Sequence, residues 1–90
     1  MDPSRYADGR NIAWQLVGYD KRTERVASER PIGREQIVGL RALFDLGDDP
    51  WLVGACYPIS ATQWPAVIAI LDCGQPDEGQ DYFIESSAQP

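Results

Sequence analysis

The sequence has no histidine and only two cysteines, Cys56 and Cys73, among its 90 residues. Without histidine, the chain lacks the commonest general base and the commonest metal ligand of proteins. Two cysteines are too few for a disulfide framework, and because both have apolar neighbours we expect two inert thiols in the core. These absences argue against nucleophilic catalysis and against a metal site, and we expect no catalytic residues.

Long apolar runs and glycine-rich phosphate loops are also missing. No stretch approaches the roughly 20 apolar residues of a membrane-spanning helix, and the N-terminus does not resemble a signal peptide. No glycine pattern of a nucleotide-binding loop is present, so no cofactor is expected. With 43% apolar and 24% charged residues, the composition is that of a globular domain. These observations predict a cytoplasmic protein that has no membrane contact.

Positive charge is absent from the second half of the chain. The sequence has 14 acidic and 8 basic residues, a net charge of −6, and Arg41 is the last basic residue. Beyond it stand eight carboxylates: Asp45, Asp48, Asp49, Asp72, Asp77, Glu78, Asp81 and Glu85. An acidic surface repels phosphate backbones, so direct binding of nucleic acid is not expected. Such a surface instead suits a protein partner with a basic surface.

Hydrophobic periodicity predicts a β-hairpin and then a helix in the first half. Apolar residues alternate over 11–20, which predicts a strand with Trp14 in the core. A polar break precedes a second strand at 25–32. Apolar residues then recur every three or four positions over 34–46, which predicts a helix ended by Gly47 as a left-handed cap.

The second half has two short apolar segments of β character. Residues 52–57 lie between prolines and form either a buried strand or an ordered loop, and we favour the strand. Residues 81–86 alternate again and are predicted to be the last strand.

Between these segments, the sequence predicts a second helix. Ser60 and Gln63 have the spacing of a capping box, but with Ser60 as cap Pro65 would fall in the second turn and remove a hydrogen bond. With Thr62 as cap, the proline lies in the tolerant first turn. We therefore predict a helix over 63–72, ended by Gly74.

The order of elements, ββαβαβ, predicts an α+β fold. We expect one domain over 1–90, with a small, mainly antiparallel sheet and two helices packed on one face. Residues 1–10 are predicted to be a loose N-terminal arm, and residues 87–90 a frayed tail.

Carboxylates follow both predicted helices in two acidic turns. A carboxylate at a helix C-terminus is unfavourable by about 0.3–1 kcal/mol, and no lysine or arginine offsets it in the sequence around either end. Conflicts of this kind are expected at functional positions, although Asp is also a common turn residue.

Tryptophans stand beside these turns. Trp51 and Trp64 lie at the edges of elements and are expected to be partly exposed, where they are either contact residues or the rim of the core. Neither acidic turn has the spacing of a calcium loop, so no metal ligands are assigned. The predicted partner-binding residues are Asp48, Asp49, Trp51, Asp77, Glu78 and Asp81.

Several short motifs carry a family resemblance. They are Gly18-Tyr19-Asp20-Lys21, Thr23-Glu24, Glu29, Asp49-Pro50, Tyr57-Pro58-Ile59, Gln63 and Tyr82-Phe83-Ile84-Glu85. Over residues 12–85, the chain resembles a family of small bacterial domains of unknown function that are similar in size and layout to the immunity proteins encoded beside polymorphic toxins. The resemblance implies a cytoplasmic bacterial protein that neutralises a secreted toxin, and it assigns no binding residue.

Three functional hypotheses follow. The first is an immunity (antitoxin-type) protein whose acidic half covers the basic surface of a toxin domain without catalysis. The alternative is a phage-encoded acidic inhibitor that mimics nucleic acid, of the anti-CRISPR type. The third is an accessory domain or scaffold with no inhibitory partner.

Overall fold

The computed structural model describes residues 12–47, 49, 51–53 and 56–88. Its elements in chain order are β1 (Ile12–Asp20), β2 (Val26–Ile32), α1 (Arg34–Leu40), a 3-10 turn (Arg41–Leu43), β3 (Tyr57–Pro58), α2 (Trp64–Leu71) and β4 (Gln80–Ala88). The predicted α+β class and the ββαβαβ order are confirmed. The predicted arm at 1–10 lies outside the described residues.

All strand pairs are antiparallel, and the order across the sheet is β2-β1-β4-β3. β1 and β4 pair along their whole length, with Asp20 opposite Gln80 at one end. At that end the backbone N–H of Lys21 donates to the carbonyl oxygen of Gly79 at 2.9 Å. The turn after β1 and the loop before β4 are therefore neighbours, although they are far apart in sequence.

Both helices cover the same face of the sheet, as predicted. Trp14 is only 2% exposed, and its indole N–H donates to the carbonyl oxygen of Trp51 at 2.8 Å, which satisfies the polar end of a buried ring. The buried core comprises Ile12, Trp14, Leu16, Ile32, Ile37, Leu40, Leu52, Val67, Leu71 and Ile84.

No helix within the described ranges is long and apolar enough to cross a membrane.

The opposite face of the sheet, here called the open face, is not covered by either helix. Side chains alternate along a strand, so this face carries Tyr19 from β1 and Phe83 and Glu85 from β4. Val17 also lies here, yet it is only 2% exposed, because it stands between Phe83 and Glu29 of the two neighbouring strands. The open face is thus a partly apolar surface with charged residues around it.

The two edges of the sheet are poor templates for a further strand. β3 has only two residues and ends in Pro58. β2 contains Pro31, and its pairing with β1 shifts register between Gly18 and Tyr19. Prolines, bulges and short edge strands are the features that limit pairing between sheets. Both edges of the sheet are therefore poorly suited to pairing with a further strand.

The positions of three strands follow the sequence periodicity. β1 and β2 agree with the predicted ranges 11–20 and 25–32 to within about one residue. β4 is longer than the predicted 81–86, because it continues to Ala88 in pairing with the start of β1. The frayed tail predicted at 87–90 is therefore wrong for its first two residues, and the last two lie outside the described residues.

The first helix is shorter than the predicted 34–46. After α1 and the 3-10 turn, the chain becomes extended at Phe44, with φ −124° and ψ 150°. Long-range contacts hold it there: the ring of Phe44 packs edge-on against Tyr57 at 5.8 Å, and Gln63 Nε2 donates to the carbonyl oxygen of Leu43 at 2.7 Å. The bond from Gln63 satisfies the carbonyl oxygen of Leu43, and the contact with Tyr57 holds Phe44 in the extended conformation. The helix therefore does not continue.

The segment after this turn is an ordered loop over its described residues. Gly47 has a positive φ of +53°, but it lies in the loop and does not cap α1. The predicted strand at 52–57 is wrong at Leu52, which is left-handed with φ +53°, and at Val53, which donates its backbone N–H to Asp49. Tyr57 does lie in a strand, and residues 54 and 55 lie outside the described residues. The apolar character of this segment is explained by Leu52, which is buried although it lies in a loop and not in a strand.

The second helix lies within the predicted range 63–72, but its cap is different. Gln63, not Thr62, is the N-cap residue, and its side-chain oxygen accepts the backbone N–H of Ser60 at 2.8 Å. This bond is one half of the capping-box pattern seen in the sequence. Pro65 lies in the first turn, where the missing N–H costs nothing.

Candidate functional site

Asp49, predicted to bind a partner, is engaged within the fold. Its half-buried carboxylate accepts the backbone N–H of Val53 at 2.9 Å and the hydroxyl of Tyr57. Burial, together with this hydrogen bond and the charge of Asp49, raises the pKa of Tyr57 to about 12. The carboxylate thus holds the loop in place. Asp48 lies outside the described residues.

Trp51 lies between the core and two arginines. Its ring packs against Trp14 at a centroid distance of 6.3 Å, and the guanidinium carbons of Arg41 and Arg34 stand 4.3 Å and 5.5 Å from its centroid. Each such contact contributes about 0.5–1 kcal/mol at an exposed site. Trp51 and Trp64 are both half-buried, in agreement with the expected partial exposure. The surroundings of Trp51 are therefore basic rather than acidic.

Neither helix has a basic residue in its last turn, as the sequence indicated, yet a cation lies at each helix end. Arg41 follows α1 directly. At the end of α2, Arg30 of β2 donates to the carbonyl oxygens of Leu71 and Asp72 at 3.2 Å and 3.3 Å. The helix ends at this left-handed Asp72, with φ +52°, and not at Gly74. The helix dipoles therefore give no reason to assign a functional role to these carboxylates.

The second acidic turn has a different character, because part of its charge is exposed. Asp77 accepts the backbone N–H of Gly79 at 2.7 Å and so shapes the loop. Glu78 is exposed, and the side chain of Asp81 is 63% exposed, with Lys21 Nζ 4.0 Å from its Oδ1. An exposed ion pair at this distance stabilises the fold little. Glu78 and Asp81 thus place exposed negative charge on the surface.

The fold keeps the two predicted acidic turns apart. The first turn is tied to β4 at Ser86, whose hydroxyl donates to the carbonyl oxygen of Val53 at 3.2 Å. The second turn leads into β4 at Gln80. At roughly 3.3 Å per strand residue, the two positions are about 20 Å apart along the strand. The two turns do not form one patch.

The second turn instead meets the turn between β1 and β2, because Asp20 pairs with Gln80. We call the carboxylates at this junction the acidic end; they are Asp20, Glu24, Asp77, Glu78 and Asp81. Three exposed bases lie in the same region: Lys21, Arg22 and Arg25. Sequence reasoning missed Asp20 and Glu24 because they belong to the basic half of the chain. Pairing of the predicted first and last strands was the signal that could have placed them here.

A depression of about 380 Å³ lies on the open face beside the acidic end. The rings of Tyr19 and Phe83 contribute to it and meet edge to face, 5.7 Å apart at 78°. The hydroxyl of Tyr19 donates to Glu85 Oε2. The remaining lining residues are Asp20, Lys21, Glu24, Cys56 and Asp81. We call this feature the open-face depression.

Tyr19 is not an acid–base group at neutral pH. The hydrogen bond to Glu85, with smaller contributions from burial and from the charge of Glu85, raises the pKa of Tyr19 to about 12. The phenol therefore keeps its proton at neutral pH and donates a hydrogen bond to the carboxylate of Glu85. This pair is suited to holding the shape of the depression rather than to transferring a proton.

The prediction that both cysteines lie in the core is wrong for Cys56, whereas Cys73 packs against the core. Cys56 is exposed at the open-face depression, and Cys73 is half-buried. Both thiols are free. Cys56 lies just before the edge strand β3.

The side chains of this region are of types that attract positive charge. Within the described part of the chain, no group of three or more carboxylate or thiol side chains is arranged to hold a metal ion. The open-face depression combines aromatic rings with carboxylates, and both attract ammonium and guanidinium groups.

Comparison with known proteins identifies the family but no function. The family model described as Domain of unknown function (DUF7683) matches residues 13–85, a range that includes the acidic end and the open-face depression. No curated protein and no solved structure matches the chain. Since the match covers most of the 90 residues, the chain belongs to the family described as Domain of unknown function (DUF7683).

Proposed function

We propose that the protein is a bacterial immunity (antitoxin-type) protein that binds a secreted toxin domain through its acidic end and catalyses no reaction itself. The observation that supports this proposal is the convergence of carboxylates from the β1–β2 turn and from the start of β4, beside the sheet face that neither helix covers. Four of them, Glu24, Asp77, Glu78 and Asp81, are exposed. The protein acts in the cytoplasm, where it meets the toxin that enters the cell.

Charge complementarity gives this proposal its mechanism. A toxin that acts on nucleic acid needs a basic surface to hold the phosphate backbone. An acidic protein is steered to that surface, and fields of opposite sign raise association rates by about 10- to 1,000-fold. Covering the surface excludes the substrate, so inhibition requires no chemistry by the inhibitor.

Mimicry of nucleic acid has less support. Duplex DNA carries about one negative charge per 1.7 Å of its axis, without interruption by positive groups. At the acidic end, Lys21, Arg22 and Arg25 are interspersed among the carboxylates. This mixed pattern fits one complementary protein surface better than it fits a general nucleic-acid site.

The structure shows which of the predicted contact residues make contacts that hold the fold together and which do not. Asp49 and Trp51 have partners inside the fold, so the proposal places less weight on them. Asp77, Glu78 and Asp81 belong to the acidic end and carry the proposal.

The test is recovery of a partner and measurement of its association rate. The tagged protein is used to capture proteins from its native host, and each captured basic protein is expressed with and without it to score protection of the cells. The triple variant Asp77→Asn, Glu78→Gln, Asp81→Asn is expected to lower the association rate about tenfold at low salt, because it removes the steering charge.

A matched variant removes the same charge elsewhere. The residues chosen are exposed and lie outside the acidic end: Glu35→Gln, Asp45→Asn and Asp72→Asn. This variant is expected to keep the association rate within about threefold of the unmodified protein, since screening weakens charges more than about 10 Å from the interface. Equal rates for the two triple variants, or recovery of no basic effector, would contradict the proposal.

A further inference from the structure

The open face has aromatic side chains that nothing in the described fold covers. Tyr19 and Phe83 are half-buried, while both helices pack on the other side of the sheet. An uncovered apolar surface with polar residues around it is typical of an interaction site. Because the edge strands β2 and β3 are poor templates for a further strand, this face is the accessible part of the sheet.

The size of the open-face depression limits what can enter it. Its volume of about 380 Å³ lies at the lower end of the range of ligand pockets, about 300–1,000 Å³. This space is suited to one long side chain and not to a helix or a strand.

The charge around the depression selects a cation. Four carboxylates line it, namely Asp20, Glu24, Asp81 and Glu85, against the single ammonium group of Lys21. Aromatic rings attract Lys and Arg side chains within about 6 Å, and carboxylates form charge-assisted hydrogen bonds with the same groups. Anionic occupants are repelled, and a purely apolar occupant would leave the carboxylates poorly solvated.

A cation of the chain itself already lies at the rim. Lys21 Nζ stands 4.0 Å from Asp81 Oδ1, with the two side chains 51% and 63% exposed. Such an exposed pair is weak, so a better placed cation can replace Lys21 at this position.

We infer that the open-face depression receives an arginine or lysine side chain of the protein partner, with the cationic group against the rings of Tyr19 and Phe83 and beside the carboxylate of Glu85. This inference rests on the proposed function for the nature of the occupant. It adds a specific anchor to an acidic surface that otherwise acts by general attraction. Anchors of this kind, in which an arginine fills a pocket, commonly dominate binding energy at interfaces.

A short peptide tests the anchor without the toxin. The probe is acetyl-Gly-Arg-Gly-amide, titrated into the ¹⁵N-labelled full chain and followed by amide chemical shifts. The control peptide replaces arginine by citrulline, which has nearly the same shape but no charge. Shifts are expected to concentrate at Tyr19, Phe83 and Glu85 with the arginine peptide and to be much smaller with the citrulline peptide.

Two variants test which groups hold the cation. Glu85→Gln keeps an oxygen that can accept the hydroxyl of Tyr19, and it is expected to weaken peptide binding about tenfold because the charge is lost. Lys21→Gln removes the competing cation from an exposed site and is expected to strengthen binding about threefold. Glu35→Gln removes the same charge as Glu85→Gln from the exposed surface of α1 and serves as the control.

The inference is overturned if the citrulline peptide binds as tightly as the arginine peptide, or if the chemical shift changes lie only in the 77–79 loop. It is also overturned if Glu85→Gln and Glu35→Gln have the same affinity for the arginine peptide. The inference and the proposed function can fail separately. If binding of a captured toxin requires the acidic end but is unchanged by Glu85→Gln, the anchor alone is rejected. Peptide binding in the depression without any basic effector in the host rejects the immunity function alone.

Discussion

Replacing Asp49 by alanine should destabilise the fold, although the sequence suggests a solvated contact residue. The substitution removes the acceptor of two hydrogen bonds, one from the Val53 backbone at 2.9 Å and one from the Tyr57 hydroxyl. Hydrogen bonds to charged groups contribute about 1.5–3 kcal/mol each, and because this carboxylate is half-buried we take about 1 kcal/mol each. The expected loss of unfolding free energy is about 2 kcal/mol.

This loss is large enough for routine measurement. In a domain of this size, 1 kcal/mol shifts the melting temperature by about 4–8 °C, so Asp49→Ala should melt about 8–16 °C lower. Urea unfolding followed by tryptophan fluorescence gives the same quantity as a lower midpoint. Asp45→Ala is the control, because it removes an exposed carboxylate of the same region and should change the unfolding free energy by no more than about 0.5 kcal/mol.

Equal melting temperatures for Asp49→Ala and Asp45→Ala would refute this reasoning. The carboxylate would then contribute nothing to the loop, and the sequence-based assignment of Asp49 to the partner surface would regain its weight. With a partner in hand, the variant should also keep its association rate once the unfolded fraction is subtracted. A lower association rate of the folded fraction would show direct contact.

Three further changes test the packing and the titrating groups. Gly39→Ala should raise the unfolding free energy by up to about 1 kcal/mol, since a Cβ would stand at an ordinary 3.4 Å from Ile70 and alanine favours the helix; an unchanged or lower melting temperature would contradict this. Gly18→Ala should cost about 1–2 kcal/mol in urea unfolding, because its Cβ collides with a hydrogen-bonded side-chain pair of β2 and β4. Stability should fall from pH 10 to 12, because Tyr19 and Tyr57 have pKa values raised from 10.0 to about 12 and the unfolded chain loses those protons first. Replacing both tyrosines by phenylalanine should flatten this part of the curve in fluorescence-monitored unfolding, and an unchanged slope would reject the assignment.

The sequence was most informative where a local pattern determines the structure. Alternation in β1 identifies the face that carries Trp14, because side chains on a strand have a period of two and only one face meets the helices. The position of Pro65 likewise restricts the start of α2, since the ring is tolerated in the first turn and not beyond it. In both cases, the information lies within a few neighbouring residues.

Long-range contacts determine the elements that the sequence misplaced. The first helix stops because Gln63 and Tyr57, which are distant in the chain, contact Leu43 and Phe44. A helical pattern of apolar residues continues past this point, but helix propensity is weak compared with such tertiary contacts. The same explanation holds for Leu52, whose side chain is fully buried from a left-handed loop position.

The candidate site was only partly predictable. The sequence shows which carboxylates are available, but it does not show which of them the fold brings together. The excess of carboxylates after Arg41 correctly indicates Glu78 and Asp81 as exposed charges. The contributions of Asp20 and Glu24 depend on the pairing of the first and last strands. A count of charge along the chain cannot show such pairing, since it treats distant residues as unrelated.

The fold also separates two groups of carboxylates that the sequence analysis had combined in one surface. At two places near the helices, donors from other elements meet acceptors: Arg30 binds the carbonyl oxygens at the end of α2, and Tyr57 binds the carboxylate of Asp49. At the acidic end, Glu78 and Asp81 remain exposed, next to an aromatic depression on the open face. Substitutions in the first turn should therefore change stability and leave the association rate of the folded protein intact. Substitutions at the acidic end should do the reverse, because exposed charges contribute little to folding and much to steering.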